Sequence, residues 1–310
     1  MRGNTLSMSD SDQAPPSSSI PAGDVGKRLG SELGAIKIPP RPAVLASIEA
    51  EMRGKSPNFG TLETFISLDV GISASLLKIA NSAFFGLGGH VRSVKEALQI
   101  LGLNTVATAI AALSLRKAFA HVPNLERFWD SSARIAQLSG WLSTRLELTG
   151  RKVRAEEAYT FGLFRDCGIP VLMSMYADYQ EILKAANEEA EKPFTAVEDI
   201  ELGLNHAMIG ATLAREWQLP IEYRAAIELH HDVDAIRGLS SHITPDLSRY
   251  FMALAQLAEY LFQRLTGLNK TCEWGKLGPA CLDVLAIDAA DVDRLVQTAR
   301  EQGVHLEPAF

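Results

Sequence analysis

Residues 91–103 read VRSVKEALQILGL, and this stretch decides the fold class. Ser93 followed three residues later by Glu96 forms a capping-box pattern, in which side chains satisfy backbone N–H groups at the start of a helix. Apolar residues then recur at the i, i+3, i+4 and i+7 positions, and Gly102 ends the pattern. The stretch therefore predicts a short amphipathic helix with one buried face.

Helical periodicity continues on both sides of this stretch, with few of the alternating patterns that indicate strands. Upstream, an apolar stripe runs through residues 72–80. Downstream, residues 104–118 are small and apolar on most faces, as expected for a helix surrounded by other helices. Helical patterns also cover residues 246–265 and 289–301. The sequence thus predicts an all-α protein.

The composition narrows the function classes. The chain has 310 residues, 47% of them hydrophobic and 22% charged, so it can bury one large core or two modest ones. A formal net charge of −7 disfavours broad nucleic-acid binding, because phosphates require a basic surface. The longest apolar runs are about ten residues, against the roughly 20 that a membrane span needs. We therefore expect a cytoplasmic protein with no membrane span. Since the three cysteines lack a C-x-x-C spacing, we also expect reduced thiols.

The chain divides into a polar leader and a helical body. Residues 1–35 begin with a region rich in Ser, Pro and Asp and lack the apolar segment of a secretion signal, so we predict a disordered N-terminal lead. Helical periodicity starts at about residue 36, and Pro123 interrupts it before the next helix. We therefore predict a helical body at 36–305, made of two packed subdomains at 36–122 and 123–305.

Four residues of the second half could together bind a metal ion: Asp166, His206, His230 and His231. Imidazole nitrogens and a carboxylate suit zinc, manganese or iron, provided that at least three converge. Other roles stay open. Asp166 could cap the helix that has Pro170 in its first turn. His230 and His231 are neighbours, and on a helix they point about 100° apart, so only one of them would face a given pocket.

His206 lies in a segment that predicts one continuous helix. Thr195 with Glu198 repeats the capping-box pattern, and apolar residues from Ile200 to Ala211 fall on one face. On such a face a hydrogen-bonded core histidine is at least as common as a metal ligand. The spacing alone therefore leaves both roles open for His206.

Other catalytic chemistries lack a motif. The sequence has no phosphate-binding loop, nucleophile elbow, zincin pattern or dinucleotide-binding pattern. Cys167 follows Arg165 closely, and a neighbouring cation can lower the pKa of a thiol and activate it as a nucleophile. Since the sequence places no His or Asn to assist it, we expect a core thiol instead.

The order of these segments resembles the HDOD domain family, a helical module related to HD-domain phosphohydrolases and found in bacterial signalling proteins. The resemblance runs from residue 36 to about 265, and LLKIANSAFFG followed by the SVKEALQILGL helix is characteristic of this family. The matching segments are residues 36–52, 65–106, 128–143, 155–172, 201–232 and 251–261. The resemblance implies that residues 36–305 form an HDOD domain whose second subdomain is HD-domain-like.

The resemblance also allows a residue-by-residue test of catalysis. HD hydrolases hold a metal with an early His, a consecutive His-Asp pair and a later Asp. These positions correspond to Ser131, Arg165, Asp166 and Gln256, so only Asp166 is kept. The resemblance therefore implies a vestigial pocket with no catalytic residue, and we expect no metal or other cofactor.

Arg165 leaves three interpretations of this pocket. A guanidinium about 4 Å from a divalent cation would be repelled by roughly 8 kcal/mol at an effective dielectric near 20, which argues against a metal. Arg165 could instead pair with Asp166 and hold the helices together, or it could recognise a nucleotide phosphate or another anion. If a metal is bound, its ligands would be Asp166, His206, His230 and His231, since these histidines look like the additional metal ligands of some HD phosphodiesterases.

Our preferred hypothesis is a non-catalytic bacterial signal-transduction module that acts through protein–protein interaction. The resemblance implies partners such as kinases, receiver domains or cyclic-dinucleotide enzymes, and since the sequence carries no such domain we expect it to act in trans. The alternatives are a metal-dependent phosphohydrolase or cyclic-dinucleotide phosphodiesterase of the HD type, and a nucleotide or anion sensor. Phe84, Phe85 and the GLGGH turn at 86–90 are candidates for a contact surface, although they could equally pack between the subdomains.

Overall fold

Every regular element in the described part of the chain is a helix, which confirms the predicted all-α class. The computed structural model describes residues 38–54, 57–81, 91–148, 153–240, 244–302 and 304. The predicted lead at 1–35 and the candidate contact residues Phe84, Phe85 and 86–90 lie outside these ranges.

Five helices form the first group. They are α1 (Ala43–Arg53), α2 (Phe59–Ser67), α3 (Val70–Ala80), α4 (Val94–Leu101) and α5 (Leu103–Ala118). Helix α2 packs on α4 and α1 packs on α5, while α5 also contacts α7 of the second group. Helix α5 is buried on most of its faces, as its small apolar residues predict.

The second group is centred on the long helix α14. Its helices are α6 (Glu126–Arg145), α7 (Ala155–Phe164), α8 (Gly168–Met175), α9 (Tyr179–Glu188), α10 (Phe194–Leu202), α11 (His206–Glu216), α12 (Ile221–Leu229), α13 (Val233–Arg237), α14 (Asp246–Thr266), α15 (Glu273–Leu285) and α16 (Ala289–Glu301). Helix α14 contacts α6, α7, α12, α13, α15 and α16. The apolar face of α14 therefore supplies the middle of the core.

A capping box has two hydrogen bonds, and at the start of α4 one of the two has its predicted partners. Ser93 Oγ accepts a hydrogen bond from the Glu96 N–H at 3.1 Å. The Glu96 carboxylate accepts from the N–H of Arg92 at 2.7 Å, one residue before the predicted partner. Gly102 ends the helix as predicted, and the chain bends by 117° into α5.

The continuous helix predicted across residues 195–211 is wrong. Helix α10 ends at Leu202, Gly203 follows with a φ of 74°, and Asn205 caps the new helix α11 by accepting from the Met208 N–H at 2.9 Å. A φ in this left-handed region favours glycine, which explains the break. Ile200 lies 67% exposed instead of on a shared apolar face.

Two segments of the second group approach so closely that only glycine fits between them. A Cβ atom on Gly168 would lie 2.0 Å from the carbonyl oxygen of His206, and one on Gly210 would lie 3.0 Å from Cys167 Sγ. The start of α8 therefore lies directly against α11. This contact brings the turn before α8 next to His206.

The first described residues are tied to the end of α11. The Trp217 indole donates to the Pro39 carbonyl at 2.9 Å, and Arg41 donates to the Gln218 side chain at 3.1 Å. Trp217 itself is 1% exposed. The segment that enters α1 is therefore anchored on the second helical group.

No described helix is by itself long and apolar enough to cross a bilayer. Helices α4 and α5 reach that length and apolar character only when taken together across their bend.

Candidate functional site

The candidate site starts in the turn between α7 and α8. Helix α7 ends at Phe164, the turn holds Arg165, Asp166 and Cys167, and α8 begins at Gly168. We considered Asp166 as the cap of α8, but no side chain caps this helix, so that interpretation is wrong. The Asp166 carboxylate instead faces Arg165 and two histidines.

Arg165 is buried and held by two carboxylates. Its Nε atom lies 3.2 Å from each oxygen of Asp166, and its Nη2 donates to Asp166 Oδ2 at 2.8 Å and to Glu259 Oε2 at 3.3 Å. Burial alone would lower the pKa of Arg165, but the two carboxylates outweigh it and the pKa is raised. Burial opposes ionisation of Asp166, but the Arg165 guanidinium outweighs it and holds the pKa of that carboxyl well below its usual range.

Glu259 was not predicted from the sequence. It lies on α14, three residues after Gln256, so the two side chains occupy neighbouring positions on one helix face. Gln256 is 2% exposed, and its Nε2 atom has no hydrogen-bond partner among the described residues. The residue of α14 that contacts Arg165 is therefore Glu259, and the assignment of Gln256 to the later metal-binding position stays a prediction.

Three histidines approach Asp166 from two other segments. His206 is the first residue of α11, whereas His230 and His231 follow the last residue of α12, Leu229. Because the helix ends before this pair, the 100° separation does not apply. The rings of His230 and His231 lie 4.2 Å apart between centroids, and both join the cluster. The expectation that only one of them faces the pocket is therefore wrong.

Each of the three rings has its Nδ1 atom against an oxygen acceptor. The pairs are His206 with Glu198 Oε2 at 2.7 Å, His230 with the Ile227 carbonyl at 2.7 Å, and His231 with Glu273 Oε2 at 2.6 Å. Since carbonyl and carboxylate oxygens accept, each Nδ1 carries a hydrogen. The Nε2 atom of each ring is therefore the one that can bind a cation.

Glu198 takes part in the site instead of capping α10. Its carboxylate is fully buried and accepts from the His206 backbone N–H and ring and from the Tyr179 hydroxyl. Burial opposes ionisation of Glu198, but His206 outweighs it and lowers the pKa of the carboxyl. Burial and the Glu198 charge raise the pKa of Tyr179 well above its usual value, which keeps the hydroxyl a donor. The capping box predicted for Thr195 with Glu198 is therefore wrong.

The Nε2 atoms and Asp166 converge. One ligand atom from each of Asp166, His206, His230 and His231 lies within 4.8 Å of the others. His230 Nε2 is 3.2 Å from His206 Nε2 and 3.1 Å from Asp166 Oδ1. Burial lowers the pKa of His230, which favours the neutral ring, and its one hydrogen is already donated to Ile227. His230 Nε2 and Asp166 Oδ1 are then two acceptors in contact, an arrangement that a cation between them would relieve.

This donor set fits a transition-metal ion. Three imidazole nitrogens and one carboxylate are ligands of zinc, manganese and iron. Anchoring of the Nδ1 atoms by Glu198 and Glu273 is the arrangement that orients metal-binding histidines in other proteins.

A proton is the other cation that suits the cluster. Burial would lower the pKa of His206, but Glu198 outweighs it and raises the pKa.

A cavity of about 660 Å³ opens beside the cluster. Its inner wall includes Arg165, Asp166, His206, His231 and Glu259. Ser131, for which the resemblance predicts the position of the early metal-binding His, also lines it and accepts a hydrogen bond from Asn269. A small molecule in this cavity would therefore contact the Arg165–Asp166 pair.

Cys167 lies in the turn but not in a nucleophile's environment. It is 2% exposed, and burial together with the neighbouring Asp166 charge raises the pKa of the thiol well above its usual value. Cys167 is therefore a core thiol, as expected.

Family and sequence comparisons identify related proteins. The HDOD domain model matches residues 38–233, well over half of the chain. A curated relative, an uncharacterized protein of Treponema pallidum (strain Nichols), is 25% identical over 197 residues. The match covers 63% of this chain and 38% of the relative, so this chain spans well under half of the relative's length.

Solved structures share the fold at low sequence identity. An HDOD domain protein with unknown function from Geobacter sulfurreducens has a TM-score of 0.63 at 17% identity, covering 93% of this chain and 97% of that chain. A "Putative phosphohydrolase" from Shewanella amazonensis SB2B has a TM-score of 0.59 at 19% identity, with 91% and 96% covered. A "Putative signal transduction protein" from Marinobacter aquaeolei VT8 has a TM-score of 0.64 at 20% identity, with 92% and 64% covered. These structures share the fold, and the family match over residues 38–233 shows that the protein belongs to the HDOD domain family.

Proposed function

We propose that this HDOD protein is a signal-transduction module that acts by binding partner proteins and does not turn over a substrate. The observation that carries the proposal is that Arg165 is buried and paired with carboxylates. It stands where HD hydrolases have the His of the His-Asp pair, and its guanidinium contacts both oxygens of Asp166 as well as Glu259. A permanent cation is thus paired with Asp166, the carboxylate that a hydrolytic site would use for a metal ion.

Two physical arguments support the absence of turnover. A second cation placed about 4 Å from the Arg165 guanidinium would meet a repulsion of roughly 8 kcal/mol if divalent, at an effective dielectric near 20. If a metal binds despite this repulsion, Asp166 and the three histidines would supply four protein ligands. Four protein ligands complete the tetrahedral shell of a structural zinc site, whereas a catalytic zinc site keeps one position open for water.

An exposed apolar patch supports the partner-binding part of the proposal. Around the turn between α2 and α3, Phe65 is 44% exposed and Leu68 and Val70 are each 79% exposed. Large apolar side chains that cluster on a surface commonly mark a protein interaction site. A cavity of about 340 Å³ next to them is lined by Phe65 and Leu68 and ends at the Lys117–Asp69 ion pair.

Affinity capture tests this part. Tagged full-length protein is used to capture partners from cells that produce the protein natively, and each partner is then purified and titrated against wild type. We expect L68D and V70D to weaken binding of a genuine partner by about tenfold or more, since both would place a charge in an apolar contact. The matched control is L239D, because Leu239 is 72% exposed on a distant loop. Equal binding by all three variants would reject this patch as the interface.

A second candidate function is favoured by the converging Nε2 atoms. A metal-dependent phosphohydrolase or cyclic-dinucleotide phosphodiesterase would hold its metal with Asp166, His206, His230 and His231. Bound there, a metal would act as a Lewis acid and lower the pKa of a coordinated water. Metal analysis after purification in Mn²⁺, Fe²⁺ or Zn²⁺, with H206A as control, tests whether the cluster binds metal. Binding alone is compatible with either function, so only an assay of turnover separates them.

A further inference from the structure

The mouth of the cavity beside Arg165 is basic. Arg127 of α6, Lys184 of α9 and Lys270 of the segment before α15 line it, and all three are exposed. Among the described residues none of the three forms an ion pair with a carboxylate. Glu188 is the one exposed acid among the residues that line the cavity. The mouth therefore favours a negatively charged group.

The inner end of the same cavity differs in charge. Asp166, Glu259 and Glu273 lie there, and these three carboxylates outnumber the Arg165 guanidinium and the Lys276 ammonium that pairs with Glu273. A phosphate pushed to this end would meet three carboxylates, so an anionic group gains most by staying at the mouth. The inner end suits the neutral, polar part of a ligand.

Arg165 offers that end an unused hydrogen-bond donor. The residue is 4% exposed, and its Nη1 atom is buried without a hydrogen-bond partner, whereas Nε and Nη2 are occupied by carboxylates. A buried donor without a partner is costly, and a ligand atom that accepts from it would remove the cost. A ring nitrogen or a carbonyl oxygen has the required chemistry.

The rest of the cavity lining mixes apolar side chains with polar ones such as Ser132, Gln180 and Asn187. Phe128 and Phe194 contribute aromatic faces, and the aliphatic lining residues are Ile135, Ile169, Met173 and Leu183. Small-molecule sites are typically apolar clefts of about 300–1,000 Å³ with a few polar groups that fix orientation, and this cavity of about 660 Å³ falls in that range.

We propose that the cavity binds a small phosphate ester of a planar, heteroatom-containing ring. The phosphate lies at the mouth among Arg127, Lys184 and Lys270, and a ring acceptor reaches Arg165 Nη1. The inference rests on the proposed function, because it assumes that the ligand is bound and not hydrolysed. Such a ligand would tie α6, α9 and the α7–α8 turn together and would make the module responsive to its concentration.

Calorimetric titration of the full-length protein with adenosine 5′-monophosphate tests the proposal. We expect saturable binding that is at least tenfold tighter than binding of adenosine or of inorganic phosphate. The combined variant R127Q/K184Q/K270Q should bind about tenfold more weakly, since each exposed charge contact contributes a factor of about two to five. The matched control is K95Q, an exposed lysine of α4 outside the cavity, which should bind like wild type.

Two outcomes would overturn the inference: no saturable binding of the nucleotide at millimolar concentration, or unchanged binding by the triple variant. Chromatography of the same mixtures separates this result from a failure of the proposed function. Conversion of the nucleotide to adenosine would overturn the proposed absence of turnover while supporting the cavity as the binding site. Binding without conversion supports both.

Discussion

Arg165 and Asp166 are consecutive residues, yet they form a two-point ion pair inside the protein, with Nε–Oδ1 at 3.2 Å and Nη2–Oδ2 at 2.8 Å. Consecutive side chains usually point apart, and the turn between α7 and α8 is what allows them to meet. The pair gives the metal-type pocket a permanent cation of its own. Glu259 adds a third charge from α14 and ties the turn to the central helix.

Replacing Arg165 should be strongly destabilising. R165A leaves Asp166 and Glu259 without their buried partner, and removal of one member of a buried ion pair commonly costs about 3–5 kcal/mol. We therefore expect urea denaturation to show a loss of that size in the free energy of unfolding. R53A is the control, because the Arg53 side chain is 72% exposed and its ion pair with Glu49 lies on the surface, so it should show no measurable change. Similar small effects for both variants would contradict the structural role of Arg165.

Replacement by alanine should have opposite effects at two helical glycines, one at the contact between α8 and α11 and one outside it. G168A would place a methyl group 2.0 Å from the His206 carbonyl oxygen, which is backbone and cannot move aside easily. We expect a loss of more than about 3 kcal/mol in unfolding free energy or no folded protein. G275A on α15 meets nothing within 4 Å and should stabilise by up to about 1 kcal/mol through helix propensity. Thermal denaturation followed by circular dichroism measures both, and a tolerated G168A would show that α8 and α11 are farther apart.

The sequence predicts correctly those features of a helix that depend on residues within or next to that helix. Ser93 and Gly102 delimit α4 by local hydrogen bonding, and the apolar pattern of residues 104–118 reflects burial on most faces of that helix. Such features depend on spacing within one helix.

Predictions failed where a distant residue competes for a side chain. Glu198 fits a capping box with Thr195, but the buried His206 ring and the Tyr179 hydroxyl engage its carboxylate instead. The sequence predicts that the side chains of His230 and His231 point apart on a helix, but α12 ends before them. Glu259 could have been suggested by its position one helical turn after Gln256, but its pairing with Arg165 depends on how α14 packs.

Glu198 should be essential for the geometry of the cluster. E198A removes the acceptor of three hydrogen bonds and leaves the Tyr179 hydroxyl and the Nδ1–H group of His206 without their acceptor in the interior. Buried polar groups that lose their partner cost about 1–3 kcal/mol each, so we expect a loss of at least about 2 kcal/mol in unfolding free energy. E201A is a matched control on the same helix, since Glu201 is exposed and should be neutral. Equal stability of the two variants would exclude a structural role for the Glu198 contacts.

The three cysteines should differ in reactivity. Burial raises the pKa of Cys281 to about 12, and Cys167 is shifted in the same direction by burial and the Asp166 charge. Cys272 is partly exposed. At pH 8 we therefore expect a thiol reagent to modify Cys272 quickly in the native protein and the other two only after denaturation. Peptide mapping identifies the modified residue, and rapid native labelling of Cys167 would mean that the turn before α8 is open to solvent.

A turnover assay tests most directly the central proposal that the site binds but does not catalyse. Full-length protein reconstituted in turn with Mn²⁺, Fe²⁺ and Zn²⁺ is incubated with a phosphomonoester, a nucleoside phosphate and a cyclic dinucleotide, and the products are separated by chromatography. We predict no product above that formed by the D166N and H206A variants under the same conditions. Turnover by the wild-type protein that both substitutions abolish would contradict the claim and establish a metal-dependent hydrolase.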